Sequence, residues 1–257
     1  MITLKTGRDV DAMRRAGKIT AAARALAGEM VKPGVSTKAI DRAVHDFIVS
    51  QGARPSFLHY EGYPASVCIS INDQVIHGIP GSRKIREGDI VSVDVGAYID
   101  GFHGDCAGTY FAGEVPQEVR RLVQVTRQSF FEGLKMARAG NRVPDISHAI
   151  QAYVEEHGYS VVREYVGHGV GAEMHEEPEV PNYGTPGHGV RLIPGMTIAV
   201  EPMVNLGGAA IRVLEDGWTV VTEDGKPSAH YENTILITRG DPEILTPIQG
   251  DGGDGLQ

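Results

Sequence analysis

The sequence of 257 residues has only two cysteines, Cys68 and Cys106, too few for a disulfide-stabilised scaffold. It lacks any run of about 20 consecutive apolar residues, the length that a membrane-spanning helix requires. Near its start there is no basic segment followed by an apolar run and a cleavage site. We therefore expect two free thiols, a reducing compartment, a cytoplasmic location and no association with a membrane.

Basic and aromatic residues are also scarce. Lys and Arg number 24 against 33 Asp and Glu, and the resulting formal net charge of -9 argues against nucleic acid as a specific partner. Aromatic residues make up 6% of the chain, but hydrophobic residues make up 41% and charged residues 22%. This composition excludes a disordered chain, and the length is sufficient for a full hydrophobic core.

Two segments, residues 34–52 and 140–158, resemble each other position by position. The matched pairs are Gly34 with Gly140, Ile40 with Ile146, Ala43 with Ala149, Val44 with Ile150, Phe47 with Tyr153, Ile48 with Val154 and Gly52 with Gly158. Both segments carry apolar residues at helical spacing and end at a glycine, which predicts two amphipathic helices with glycine caps. The preceding segments, 9–30 and 117–138, also correspond, so each half should begin with two helices joined by a turn.

A second correspondence joins residues 88–94 with residues 195–201, and a carboxylate ends each run, Asp94 in the first and Glu201 in the second. Alternation with a period of two places each acid on the face opposite to the branched apolar side chains. Further strand-like runs occupy residues 66–71, 103–111 and 230–237. These patterns predict an α+β fold of two pseudo-symmetric helix-helix-strand halves, with sheets around a shared central cleft.

No long linker separates the two halves, so we expect a single domain over residues 1–248. Its pseudo-repeats should span about 9–112 and 116–238. The glycine-rich residues 249–257 are expected to form a flexible C-terminal tail.

Acidic residues on predicted strands are unusual, because a buried carboxylate is costly unless it is paired or binds a metal. Five residues have the character of metal ligands: Asp94, Asp105, His168, Glu201 and Glu232. For any single acid, an exposed or salt-bridged position at a strand end is the simpler interpretation. For five together, two of them equivalent in the internal repeat, two divalent ions bridged by carboxylates are the more economical interpretation.

Specific motifs surround these residues, and through them the chain resembles the bacterial type I methionine aminopeptidases of the pita-bread metallopeptidase family. The motifs include Val75-Ile76-His77-Gly78, Gly101-Phe102-His103-Gly104-Asp105, Gly167-His168-Gly169, Met174-His175-Glu176-Glu177-Pro178, Glu201-Pro202-Met203 and Tyr231-Glu232-Asn233. The resemblance runs from the first helix to about residue 246. It implies a pita-bread fold around a dinuclear metal cleft, with the five residues as ligands and with Asp105 and Glu232 bridging the ions.

The resemblance also implies a mechanism, the removal of an N-terminal methionine by metal-activated hydroxide that attacks the first peptide bond. Glu201 would accept the proton from the water and also bind metal. His77 and His175 resemble the two histidines of the family that hydrogen-bond the scissile amide and the developing oxyanion. Outside such motifs, a lone histidine is more often structural.

The implied substrate pocket is apolar and is formed at the family's positions by Phe57, Tyr60, Tyr63, Cys68, Met174 and Trp218, with His77 and His175 at its reactive end. Phe57 and Met174 stand where bacterial members often have Cys and Phe, so the rim of the pocket should differ in shape. Methionine preference is expected to survive this change. The family also restricts the second residue of the substrate to small types.

The family implies two divalent ions from Co, Mn, Fe and Zn, a choice that the sequence leaves open because carboxylate-rich sites accept all four. Asn72 and Ser228 resemble positions at which such enzymes hold a monovalent cation. The expected partners are the N-termini of nascent polypeptides, with the ribosome as a further candidate, and we expect a monomer. The roles of the loop at residues 183–190 and of the Cys106 thiol stay open.

Two alternatives compete with this interpretation. An X-Pro dipeptidase or aminopeptidase P of the same fold uses the same five ligand types, but such enzymes carry an additional N-terminal domain, and only 93 residues precede Asp94. A non-catalytic pita-bread module that binds peptides is the other alternative. Such proteins typically lose ligands, whereas all five are present here.

Overall fold

A computed structural model describes residues 1–247, and the predicted tail at 249–257 lies outside the described residues. The helices are α1 (Gly7–Met30), α2 (Thr37–Ser50), α3 (Gln117–Met136) and α4 (Val143–Glu156), with a short 3-10 helix at Tyr60–Gly62. The strands of the first half are β1 (Arg54–Pro55), β2 (Val67–Ile71), β3 (Gln74–Ile76), β4 (Ile90–Ile99) and β5 (Phe102–Phe111). The remaining strands are β6 (Ser160–Val161), β7 (Gly167–Gly169), β8 (Glu176–Val180), β9 (Thr197–Val200), β10 (Met203–Asn205), β11 (Ile211–Val213), β12 (Val220–Thr222), β13 (Ser228–His230), β14 (Glu232–Leu236) and β15 (Glu243–Ile244).

The four predicted helices are present, but α2 and α4 begin later than the repeat pattern suggests. Gly34 and Gly140 have φ values of +89° and +98°, so both lie in turns before the helices. Ser36 then caps α2, where its hydroxyl accepts a hydrogen bond from the amide of Ala39. The predicted glycine ends are confirmed, since Gly52 and Gly158 follow α2 and α4 with positive φ.

Nine strands form one continuous sheet whose order is β1-β4-β5-β14-β9-β7-β8, with β2 beside β4 and β15 beside β14. Two smaller sheets have the orders β13-β10-β6 and β11-β12-β3. Strand β14 lies between β5 and β9 and is antiparallel to both. It therefore joins the sheet of the first half to that of the second.

Each helix pair covers its own part of this sheet. In the first half, Ile40, Val44 and Ile48 of α2 belong to one buried cluster with the valines of β4. In the second half, Ile146 and Ile150 of α4 belong to another cluster with residues of β9 and β14. The side chains that alternate away from these clusters point to the opposite face of the sheet, where the predicted acids lie.

Helix α1 lies very close to β5. A side chain at Gly104 would come within 2.9 Å of the Cα atom of Gly17, and one at Gly17 would collide with the carbonyl oxygen of Leu245. Glycine at both positions permits the backbones to approach and seats α1 on the strand that carries Asp105. Within residues 1–247, no helix combines the length and the apolar character needed to cross a membrane.

Candidate metal centre and active site

Five neighbouring strands of the large sheet bring the predicted ligands together. In sheet order, β4 carries Asp94, β5 carries Asp105, β14 carries Glu232, β9 leads directly into Glu201, and β7 carries His168. Asp94 of β4 and Glu232 of β14 are both paired with Ala107 of β5, so they lie at the same level on either side of that strand. Residues far apart in the chain are thus adjacent on one face.

His168 presents the nitrogen of a typical metal ligand. Its Nδ1 lies 2.8 Å from the carbonyl oxygen of Gly169, which accepts a hydrogen bond from this nitrogen and so leaves a lone pair on Nε2. Nε2 is 3.6 Å from Oδ2 of Asp105 and 3.6 Å from Oε1 of Glu201. Burial, reinforced by His175, lowers the pKa of His168 to about 3, so the ring is neutral at neutral pH.

The carboxylates form a buried cluster of like charge. Burial raises the pKa of Asp94 to about 7, and burial together with the neighbouring acids raises the pKa values of Asp105, Glu201 and Glu232 well above their usual range. Buried oxygens of Asp94, Asp105 and Glu232 have no hydrogen-bond partner among the described residues. Ligand atoms of Asp105, His168 and Glu232 lie within 4.8 Å of one another. This donor set, hard oxygens with one imidazole, fits divalent metal ions.

Every residue predicted for divalent metal binding, catalysis or substrate binding lines the same cavity. These residues are Phe57, Tyr60, Tyr63, Cys68, His77, Asp94, Asp105, His168, Met174, His175, Glu201, Trp218 and Glu232. The cavity is also lined by four residues that were not predicted from the sequence: Glu61, Ile76, Tyr165 and Val166. Their proximity in sequence to His77, Tyr60 and His168 is the signal that would have found them.

One end of the cavity is apolar. Tyr63 and Cys68 are buried in a cluster against which Phe57 and Trp218 pack. The rings of Tyr63 and Trp218 meet edge to face at 5.2 Å, and the Tyr63 hydroxyl donates a hydrogen bond to the carbonyl oxygen of Gly78 at 2.9 Å. These contacts fix both aromatic rings around a space that suits a flexible apolar side chain or a thioether.

His77 lines the cavity next to its apolar end, where its ring meets that of Trp218 edge to face at 6.4 Å. Its backbone has φ of +57°, a left-handed conformation that is strained for a residue with a side chain. The imidazole meets the ring of Tyr165 edge to face at 5.5 Å. Burial, followed by the charge of His175, lowers the pKa of His77 to about 4, so it is neutral at neutral pH.

His175 lies beside His168, with ring centroids 4.2 Å apart. Its Nδ1 is hydrogen-bonded to the Tyr60 hydroxyl at 2.8 Å. This contact leaves Nε2 as the remaining polar atom of the ring. The sequence placed Tyr60 in the substrate pocket and gave no indication of its bond to His175.

His230 is a further residue that the sequence analysis missed. It is buried at the end of β13, and its Nε2 lies 3.7 Å from Oε2 of Glu201. Burial lowers its pKa to about 3, and this nitrogen has no hydrogen-bond partner among the described residues. His230 stands two residues before Glu232, and strand alternation predicts that the two side chains share a face.

Cys106, the pair of Asn72 and Ser228, and the loop at 183–190 do not line the cavity. Cys106 is fully buried, and burial raises the pKa of its thiol, which makes it an inert packed residue. Asn72 and Ser228 are adjacent, because the amide of Ser228 donates to the carbonyl oxygen of Asn72 at 2.9 Å. The loop at 183–190 lies against α4, where the amide of Gly187 donates to Asp145 at 2.7 Å.

The fold and the ligand set together define a pita-bread metallopeptidase. The chain belongs to metallopeptidase family M24, whose model matches residues 11–239. This confirms the α+β fold and the family predicted from the motifs.

Relatives in this family match nearly the whole chain. A methionine aminopeptidase of Clostridium perfringens is 52% identical over 249 residues, which are 97% of this chain and 100% of that protein. The crystal structure of the methionine aminopeptidase of Thermotoga maritima has a TM-score of 0.95 at 46% identity and covers 96% of this chain and 100% of that chain. A prolidase from Pyrococcus horikoshii shares the fold, with a TM-score of 0.78 at 22% identity, but 95% of this chain matches only 63% of that chain.

Proposed function

We propose that this chain is a methionyl aminopeptidase, which removes the N-terminal methionine from peptides and nascent polypeptides whose second residue is small. The observation that carries the proposal is a single cavity in which an apolar subsite, formed by Tyr63, Cys68 and Trp218, opens onto the acidic cluster. Relatives named methionine aminopeptidase match this chain over nearly its full length, which supports the proposal. The fold shared with the prolidase at 22% identity gives no support to an X-Pro activity.

Asp94, Asp105, His168, Glu201 and Glu232 would hold two divalent ions, with Asp105 and Glu232 between them. When bound, such ions lower the pKa of water, polarise a carbonyl group and bind a free amine. The orphaned carboxylate oxygens and the neutral His168 ring are what support this assignment. Binding of the α-amine would confine cleavage to the first peptide bond.

Glu201 is the proposed proton acceptor. Its carboxylate is largely buried beside His168, and burial, together with Glu232 and Asp94, raises its pKa well above the usual value. When bound divalent ions compensate the negative charge of the cluster, Glu201 would be ionised, so that its carboxylate could accept a proton from water and return it to the leaving amine.

His77 and His175 are the proposed hydrogen-bond donors to the substrate. The neutral His77 ring retains one N–H group, which can donate to the scissile amide or to the oxyanion that develops from its carbonyl. His175 receives its orientation from the Tyr60 hydroxyl, which leaves its Nε2 to face the substrate. The rings of Tyr63 and Trp218 would hold the methionine side chain, with Phe57, Cys68 and Met174 completing the subsite.

The remaining parts of the proposal follow from this activity. The N-termini of nascent polypeptides would be the partners, in the cytoplasm, with the ribosome as a further contact. A monovalent cation would bind near Asn72 and Ser228. A monomeric state stays a prediction, as does the division of the domain into two pseudo-repeats.

Mass spectrometry of short peptides tests the proposal. Metal-stripped protein is incubated with Met-Ala-Ser, Met-Leu-Ser and Ala-Pro-Ser, each with and without added Mn or Co. We expect release of methionine from Met-Ala-Ser only when metal is present, and little from Met-Leu-Ser. Cleavage of Ala-Pro-Ser instead would favour an X-Pro peptidase, and no cleavage under any metal would favour a peptide-binding module.

A further inference from the structure

Lys5 precedes α1, outside every motif of the site, yet its side chain reaches the loop that carries His175. Its ammonium group forms an ion pair with Glu176, the residue that follows His175. The two side chains are only 2% and 12% exposed. The backbone amide of Lys5 also donates to the carbonyl oxygen of Gly195, just before β9, at 2.7 Å. Lys5 thus contacts both the segment that leads into β9, ahead of Glu201, and the loop that carries His175.

The ion pair fills the space inside that loop. A side chain at Gly171 would collide with the Glu176 carboxylate and would approach Nζ of Lys5 to 2.6 Å. The second carboxylate oxygen of Glu176 accepts a hydrogen bond from the amide of Glu173 at 3.3 Å. The carbonyl oxygen of Glu173 in turn accepts from the amide of Gly171 at 3.0 Å. The loop at 171–176 is therefore wrapped around the Lys5–Glu176 pair.

Two residues of this loop line the cavity. Met174 is 2% exposed and His175 stands beside His168. The loop begins just after β7, which carries His168, and ends where β8 begins at Glu176. A displacement of the loop would therefore move two groups together: His175, a proposed hydrogen-bond donor to the substrate, and Met174, which lines the apolar subsite.

Buried ion pairs add little net stability compared with well-packed apolar residues, because both charges lose their hydration. Removal of one partner, however, leaves a buried charge without compensation, and the surrounding segment must rearrange to reach water. A pair of this kind selects one conformation of the segment around it. The contacts of Glu176 with the backbone of the loop identify that segment as residues 171–176.

We propose that Lys5 is a positioning residue for His175 and Met174, and that it acts through its buried ion pair with Glu176. The inference rests on the proposed aminopeptidase function and deepens it. Lys5 touches neither substrate nor metal. It fixes the conformation of the 171–176 loop and thereby the geometry of the hydrogen bond to the substrate and the shape of the methionine subsite.

The test uses the full chain with saturating Mn and compares Lys5→Met, Lys5→Arg and the double variant Lys5→Met/Glu176→Gln. Arg14→Met is the matched control, since Arg14 forms an ion pair with Glu243 at 2.7 Å while both side chains remain substantially exposed. The measurements are kcat and KM on Met-Ala-Ser, the same constants on Leu-Ala-Ser, the Mn dissociation constant by calorimetry, and hydrogen exchange of a peptide spanning 171–176.

We expect Lys5→Met to lower kcat by about tenfold to hundredfold, as displacement of a catalytic group does. The ratio of kcat/KM for Met-Ala-Ser to kcat/KM for Leu-Ala-Ser should also fall. Hydrogen exchange of the backbone amides in residues 171–176 should become faster, and the Mn dissociation constant should stay unchanged. Lys5→Arg should restore most of kcat, and Arg14→Met should behave as the parent protein. The double variant contains no unpaired buried charge, so it should fold. It also lacks the ion pair that selects the conformation of the 171–176 loop, so it should still show the kinetic defect.

Three results would overturn the proposal. They are unchanged kcat and unchanged selectivity in Lys5→Met or the double variant, loss of Mn affinity in proportion to kcat, and failure of Lys5→Arg to recover kcat. If the parent protein releases no methionine with any metal, the proposed function fails. The role of the pair in loop conformation is still decided then, by hydrogen exchange.

Discussion

At the scale of single residues, the site depends on which groups are charged. His168 donates its Nδ1 proton to the carbonyl oxygen of Gly169, and burial keeps the ring neutral, so the histidine does not neutralise the acids around it. Burial, together with repulsion between the neighbouring carboxylates, raises the pKa values of Asp105 and Glu232. Divalent ions relieve this repulsion, and the removal of one carboxylate should therefore affect metal binding more than folding.

Asp105→Asn tests this directly. We expect the variant to lose two-metal loading and methionine release, because the ligand atoms of Asp105, His168 and Glu232 lie within 4.8 Å of one another and are placed to share a metal ion. The fold should remain, since the substitution removes a buried charge and keeps the shape. Metal content by mass spectrometry and turnover of Met-Ala-Ser are the measurements.

Asp46→Asn is the control, because Asp46 forms an exposed ion pair with Arg42 on α2. It should load metal and turn over substrate as the parent does. Near-normal turnover of reconstituted Asp105→Asn would contradict the five-ligand assignment.

His77 offers a second residue-scale prediction. Both His77→Ala and His77→Gly should lower kcat/KM by about a hundredfold or more, as expected for loss of a catalytic histidine, with little change in metal content. Because φ is +57°, glycine relieves a backbone strain of about 1 kcal/mol that alanine retains, so His77→Gly should have the higher melting temperature of the two. Loss of metal with unaffected saturated turnover would instead make His77 a ligand.

At the scale of elements, Asp41 connects α2 to the start of β2. Its carboxylate accepts hydrogen bonds from the amides of Ser66 at 2.8 Å and Val67 at 3.2 Å. Both amides belong to buried residues and need an acceptor. Burial raises the pKa of Asp41, which means that its carboxyl group ionises less readily in the folded protein than in the unfolded chain.

Asp41→Ala should reduce the free energy of unfolding by about 2 kcal/mol, because it leaves two buried amides without an acceptor. Asp41→Asn keeps an acceptor oxygen and carries no charge. Because the pKa of Asp41 is raised in the folded state, the parent protein loses stability as pH rises above about 4, the pKa of Asp in an unfolded chain. Asp41→Asn has no such loss, so its free energy of unfolding should increase relative to that of the parent between pH 4 and 7.

Urea unfolding at both pH values measures these effects. Asp46→Ala on the exposed face of the same helix should change the unfolding free energy by less than about 0.5 kcal/mol. Equal losses in Asp41→Ala and Asp41→Asn would show that the charge, rather than the acceptor, holds α2 on β2.

At the scale of the whole molecule, the two halves of the sheet meet at the acidic cluster. Asp94 and Asp105 come from the first half, and His168, Glu201 and Glu232 come from the second. Strand β14 hydrogen-bonds to both sides. Metal ions bound there would hold the halves together, so metal loading should be visible in global stability.

Metal removal should lower the melting temperature of the chain. At a Mn concentration of 100 times its dissociation constant, the expected gain is about 2.7 kcal/mol. In the metal-free protein, stability should fall as pH rises through about 7, because the folded state retains carboxyl protons that the unfolded chain has lost. The lowered pKa values of the buried histidines keep them neutral in the folded state, and the histidines of the unfolded chain are also neutral above about pH 7.5, so they do not contribute there.

Calorimetry of metal-free protein between pH 6.5 and 8.5, with and without Mn, checks this prediction. Added Mn should abolish most of the pH dependence, and it should have little effect on Asp105→Asn. A melting temperature independent of both metal and pH would place the acids outside a common buried cluster.

Much of the fold was accessible from the sequence because its signals are local. Helical spacing predicted α2 and α4, and the correspondence of residues 9–30 with 117–138 predicted α1 and α3. Alternation predicted the buried valines of β4, and glycines marked the ends of α2 and α4. The two matched segments begin at Gly34 and Gly140, ahead of the helices, because the repeat also includes the turn in which both glycines have positive φ. The acids on predicted strands and the resemblance to the family together identified the predicted residues that line the cavity.

By itself, the sequence determined the type of each main element, the acids and histidines available for chemistry, and the family. Only the tertiary structure decided that β14 lies between β5 and β9, that Tyr60 bonds His175, and that His230 approaches Glu201. It also decided that Lys5 meets Glu176, 171 positions further along the chain. Periodicity and capping depend on neighbours within a few residues, whereas these contacts depend on which distant segments the packing brings together.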